Sequence, residues 1–126
     1  MNEDSILDST KKILGLGEGY DAFDLDVITA INSALGTLGQ VGVGPDIGFE
    51  ISSWAETWDH LLGGDPRLNM VRSFVFLSCR LEFDPPQTSF AIASMQKQLD
   101  EKIWRIRVLA DPAPLATDED LLVPEL

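Results

Sequence analysis

Basic side chains are scarce in this 126-residue chain. Nine Lys and Arg stand against 21 Asp and Glu, a formal net charge of −12. That balance argues against ordinary nucleic-acid binding, which relies on cations replacing counterions at phosphates. Cysteine occurs once, at Cys79, which excludes an internal disulfide or a cysteine cluster for zinc. With no basic pair beside it in sequence, Cys79 reads as a small core residue, not as a reactive thiol. Histidine also occurs once. His60 has Asp59 beside it, but neither further ligands nor a nucleophile stand at a recognisable spacing, so it reads as a surface or boundary residue. No apolar run approaches the ~20 residues needed to span a bilayer, and the acidic start MNEDS lacks the basic residues of a signal peptide. The expectation is a soluble protein made in the cytoplasm, without a membrane partner. The GLGEG stretch at 15–19 has no preceding strand and no following GK[ST], so its amides are not arranged to cradle phosphate.

What is present is helical patterning. The run DPRLNMVRSFVFLSCRLEFDPP, residues 65–86, is the most apolar in the chain. Asp65 suits an N-cap and Pro66 the first helical position, while Asp84 ahead of two prolines stops the helix. Val71, Phe74, Val75, Ser78 and Leu81 fall at helical spacing, and Leu68, Phe76, Leu77 and Phe83 widen the apolar surface. Such a helix is contacted on more than one side. After it, Thr88 or Ser89 can cap a last helix in which Ile92, Met95, Leu99, Ile103 and Ile106 form one stripe and Lys97, Asp100, Glu101, Lys102 and Arg105 the other face. The short 84–88 connection predicts a hairpin of these two helices.

Ahead of the hairpin, residues 4–14 read as a short amphipathic helix capped by Asp4 or Ser5, with Ile6, Leu7, Ile13 and Leu14 on its stripe and Gly15 as its stop. A second helix starts between Asp21 and Asp24 and runs to about Val41, with Val27, Ile28, Ile31, Leu35 and Leu38 at the 3.6-residue period. The Asp24 and Asp26 carboxylates read as helix-start charges. Gly36 and Gly39 imply early fraying or a close approach by another backbone. Asn32 and Ser33 lie off the stripe and read as exposed. Residues 42–64 are irregular, with a hint of strand only at 49–51 and a helical turn or two from Thr57 to Leu62. Trp54 and Trp58, one turn apart, read as a local core or as an intersubunit anchor.

Two regions divide the chain. A single helical domain at 1–110 is large enough to bury roughly two thirds of the surface exposed on unfolding. An acidic, Pro-containing tail follows at 111–126, in which Leu115, Leu121, Leu122 and Val123 are candidate partner contacts among carboxylates. Charge is unevenly spread. Residues 1–40 carry −5, residues 41–64 carry −4 and the tail −5, whereas 65–110 carry +2. Complementary ends of this kind can pair with copies of the chain or with a basic partner. The fold class is therefore all-α: a small helical bundle with a long central hairpin, an irregular loop and a C-terminal tail.

The order of these parts resembles the head-to-tail connector proteins of long-tailed bacteriophages, also called head-completion or adaptor proteins. The stretches YDAFDLDVI and INSALGTLGQVGVGP are closest. They are followed by the Trp54 and Trp58 segment, the central helix ending CRLEFDPP, and the final helix QLDEKIWRIRV. The resemblance spans residues 5–109 and rests on structural signatures without catalytic chemistry. It implies a virion protein of the neck, forming a homo-oligomeric ring, commonly a dodecamer, beneath the portal. The ring would extend the DNA exit channel without specific DNA binding and present a surface to the next neck or tail-completion protein, and the C-terminal segment would often be what reaches the portal. No enzymatic activity, cofactor or metal is expected. A small acidic helical regulator, or a DNA mimic that binds a DNA-binding partner, is the alternative reading.

Overall fold

The computed structural model describes residues 4–17, 19–64 and 67–110. Five helices follow one another, α1 (Ile6–Ile13), α2 (Asp24–Gln40), α3 (Trp58–Leu62), α4 (Leu68–Phe83) and α5 (Ser89–Ala110). Among the described residues there is no strand, only an isolated antiparallel bridge between Ser5 and Thr57, and the fold is an all-α bundle. The strand hint at 49–51 is not realised. No helix among the described residues is long and apolar enough to cross a membrane.

The central position falls to α4, which packs against α1, α2 and α5. Val71, Phe74, Val75 and Cys79 are buried along it, as its broad apolar surface requires. Cys79 is fully buried, as its reading as a small core residue requires, whereas Ser78, placed on the stripe by its spacing, is only half-buried. The helix stops at Asp84, ahead of Pro85. The expected cap at Asp65 and Pro66 lies outside the described residues. α2 contributes Val27, Ala30, Ile31, Ala34, Leu35 and Leu38 to the same core. Its first turn meets the end of α4 through an edge-to-face contact of Phe23 with Phe83, centroids 5.5 Å apart, so the two helices run antiparallel. Thr88 caps α5 by accepting the Ala91 N–H at 3.1 Å, and α5 folds back on α4 with Leu99 and Ile106 buried and Ile103 packed beside them. Ile92, expected on that stripe, is 39 % exposed, because the packing face of α5 engages only from Met95 onward.

α1 departs most from its pattern. Ser5 caps it by accepting the Asp8 N–H at 3.2 Å, but its buried face is Ile6, Leu7, Ser9, Thr10 and Lys11, while Ile13 is exposed. The hydroxyls tolerate burial because each donates back along the helix, Ser9 Oγ to the Ser5 carbonyl at 2.7 Å and Thr10 Oγ1 to the Ile6 carbonyl at 2.8 Å. Lys11 Nζ lies 2.8 Å from Asp24 Oδ1. That oxygen is buried without a hydrogen bond, so the ion contact alone compensates its lost water. Gly15, at φ +83°, turns the chain out of α1. α2 runs unbroken through Gly36 and Gly39, and a Cβ at either would meet nothing within 4 Å. Neither fraying nor backbone approach explains these two glycines.

Candidate functional site

The side chains with chemical potential are used structurally. His60 Nδ1 accepts the Thr57 N–H at 3.3 Å while Thr57 Oγ1 accepts the His60 N–H at 3.1 Å, a capping box that opens α3. The Cys79 thiol is pushed up to about 12 by burial and by the nearby Glu82 charge, which leaves it protonated and inert. Large apolar side chains are exposed among charged groups of both signs, and they mark distinct surfaces of the chain.

The loop from Glu50 to Thr57 is one such surface, and it is fastened from three directions. Asn32 on α2, half-buried rather than exposed as its position off the stripe suggested, takes the Ile51 N–H on Oδ1 at 2.8 Å and donates Nδ2 to the Ile51 carbonyl at 2.9 Å. Within the loop, the Glu56 carboxylate accepts the Ser52 N–H and hydroxyl, both at 3.1 Å, and the Ser53 N–H at 3.2 Å. Burial alone would raise the Glu56 carboxyl, but these donors and the Glu56 N–H outweigh it and hold it below the ordinary range. On the α1 side, the Ile6 N–H donates to the Glu56 carbonyl at 3.1 Å and the Trp58 N–H to the Asp4 carbonyl at 2.9 Å.

This fastening separates the two tryptophans. Trp58, the first residue of α3, is 2 % exposed; its Nε1–H donates to Ser9 Oγ at 2.9 Å and its ring meets Phe76 edge to face at 5.8 Å. It is core, with no face left for another chain. Trp54 stands before the helix instead of on it, so it does not stack on Trp58, and it is 62 % exposed at the tip of the fastened loop. A large ring held outward on a backbone clamped by Asn32 and Glu56 loses little entropy when a partner covers it.

A second surface is the outer face of α5. Phe90, Trp104 and Val108 are exposed and lie on the side opposite Leu99 and Ile106, since steps of 14 and 18 residues return to one helix face. Their signal is legible in the sequence as apolar residues falling off the buried stripe of Leu99, Ile103 and Ile106. A third feature is a groove of about 440 Å³ between α4 and α5, bordered by Arg72, Arg80 and Lys102 over Phe76 and Leu77, with Ile13 at its edge. Leu115, Leu121, Leu122 and Val123 lie outside the described residues.

The exposed apolar rings of this helical bundle thus stand beside polar groups, such as His60 and Asn32, that hold its own backbone. The family model described as phage connector protein matches residues 6–113. The chain belongs to the phage connector protein family. No curated protein and no solved structure matches the chain. Family membership makes this connector a structural component of a phage virion at the head-to-tail junction, associated with portal and tail proteins. The match covers all five helices and stops just beyond α5, leaving most of the acidic tail outside.

Proposed function

We propose that the connector assembles as a ring, a dodecamer in the simplest case, beneath the portal of its own phage. There it extends the DNA exit channel, offers its far side to the next neck or tail-completion protein, and has no enzymatic role. The observation that carries this reading is the presence of two different uncovered apolar surfaces on one subunit, Trp54 on its fastened loop and Phe90, Trp104 and Val108 on α5. A cyclic ring is built from heterologous contacts, in which each copy meets its neighbours through two unlike patches. The net charge of −12 suits a channel that DNA slides through without being gripped.

In this reading the body, 1–110, forms the ring, and the tail, 111–126, reaches the portal through Leu115, Leu121, Leu122 and Val123. The test is to mix the purified connector with the portal of its phage and to follow sedimentation and negative-stain images against each component alone. A ring stacked coaxially on the portal is expected, and its image gives the copy number. Absence of association, under conditions where the same portal binds another neck protein, overturns the reading in favour of a small acidic regulator. Unchanged portal binding after deletion of 112–126 overturns the tail contact specifically.

A further inference from the structure

Cations are rare in this molecule, yet three of them border one groove. Arg72 and Arg80 come from α4 and Lys102 from α5, and among the described residues no carboxylate lines the groove itself, while the exposed Asp84 places Oδ2 3.9 Å from Arg80 Nη1. Two of the three are held in place. The Arg72 guanidinium stacks 5.7 Å from the ring centroids of both Trp58 and Phe76, and Arg80 Nη2 donates to the Ile13 carbonyl at 2.6 Å. Arg72 Nε is buried without a hydrogen-bond partner. What faces the groove is the rest of the fixed Arg72 side chain, and the strongest partner for a guanidinium is a carboxylate. The apolar surface beside these cations, Phe76 and Leu77, asks for aliphatic side chains next to that carboxylate.

One segment of the chain carries this pairing. Asp118, Glu119 and Asp120 are followed at once by Leu121, Leu122 and Val123, and residues 111–126 contain five acids and no base. We propose that this C-terminal segment docks in the α4–α5 groove of its own subunit, with the acidic triplet against Arg72, Arg80 and Lys102 and the apolar triplet on Phe76 and Leu77. The length of chain allows it. From Lys102 to the end of α5 at Ala110 the helix advances about 12 Å, whereas the eight residues from 111 to 118 span up to about 26 Å when extended. The segment can therefore turn back past Lys102 with slack. Tethering at this length gives an effective concentration in the millimolar range, enough to favour the subunit's own tail over a free competitor of equal affinity. The docking stands independently of the connector role. Within that role, it means that the tail must leave the groove before it can reach a portal.

The test uses the full chain with Ala116→Cys carrying a nitroxide. Cys79 escapes labelling because it is fully buried and its thiol is pushed up to about 12. At low ionic strength the amides of Arg72, Phe76 and Lys102 are expected to lose more than half of their intensity, while that of Ser33 on α2 is unchanged. Reversing the tail charges (D118K, E119K and D120K together) restores the intensity without touching the core. Three results overturn the proposal: no selective loss at the groove, a loss that survives charge reversal, or a loss that appears only when nitroxide-bearing chains are mixed with separate isotope-labelled ones. The last would place the tail on a second copy.

Discussion

Ser9 shows how much of the core depends on one hydroxyl. Its Oγ donates to the Ser5 carbonyl and accepts the Trp58 Nε1–H, joining α1 to α3 inside the apolar centre. Ser9→Ala leaves the indole N–H buried without an acceptor and is expected to cost about 1–3 kcal/mol in urea unfolding with an unchanged m-value. Trp58→Phe removes the orphaned donor, so the double variant should lose less than the two single losses added together. A strictly additive cycle would show that the hydrogen bond contributes nothing. The Lys11–Asp24 pair gives an asymmetric case. The Lys11 side chain is 6 % exposed and that of Asp24 31 %, so Asp24→Ala strands an almost fully buried ammonium, whereas Lys11→Met leaves a carboxylate with one buried oxygen, Oδ1, on a side chain that is otherwise partly open to water. Asp24→Ala is expected to be the more destabilising, on the order of 2 kcal/mol, and the reverse order of unfolding midpoints would contradict the burial argument. Neither feature was legible in the sequence. Periodicity sorts residues by type, and Ser9 and Lys11 are buried because of partners that lie 49 and 13 positions away.

At the scale of elements, α2, α4 and α5 were legible nearly to their ends, because Val27, Ile31, Leu35 and Leu38, or Val71, Phe74 and Val75, repeat at the helical period and all are buried. The segment from 42 to 57 was legible only as irregular. Its order comes from single long-range bonds, such as those of Asn32 to Ile51, which leave no periodic trace. Gly44 marks one of its fixed points, at φ +88° with a built Cβ only 2.9 Å from Leu61 Cδ1. Gly44→Ala combines backbone strain with overlap against a buried leucine, and a loss of about 1–3 kcal/mol is expected in thermal or urea unfolding. Glu56 makes the same loop sensitive to pH. Its carboxyl is held below the ordinary value in the folded chain, so its contribution is complete above the unfolded glutamate range, about 4.3, and is lost as pH falls through the lowered folded value. The protection factors of the Ser52 and Ser53 amides, taken against the intrinsic exchange rate at each pH, should fall as pH drops through that window, and in Glu56→Gln they should be low at neutral pH and unchanged on acidification.

For the whole molecule, the decisive contrast is between side chains that hold the subunit together and side chains that face other molecules. Trp58 and Trp104 illustrate it, since the first is 2 % and the second 63 % exposed although both stand in helices with apolar neighbours. Sequence grouped Trp58 with Trp54 by spacing and overlooked Trp104, although its place off the stripe of Leu99, Ile103 and Ile106 already set it on the outer face of α5. The same contrast predicts separable phenotypes. Trp54→Ala and Trp104→Ala remove rings that the subunit does not bury, so each should leave unfolding within about 0.5 kcal/mol of the parent. If these surfaces join neighbours in a ring, each substitution should weaken assembly on the portal at least tenfold by sedimentation, the loss of about 1.4 kcal/mol or more that marks an interface anchor. Trp58→Ala should show the converse, a subunit destabilised by about 3–5 kcal/mol, with assembly failing only to the extent that folding does. Normal ring formation by both surface variants would place the subunit contacts elsewhere, while a large stability loss in either would mean that its ring belongs to the core after all.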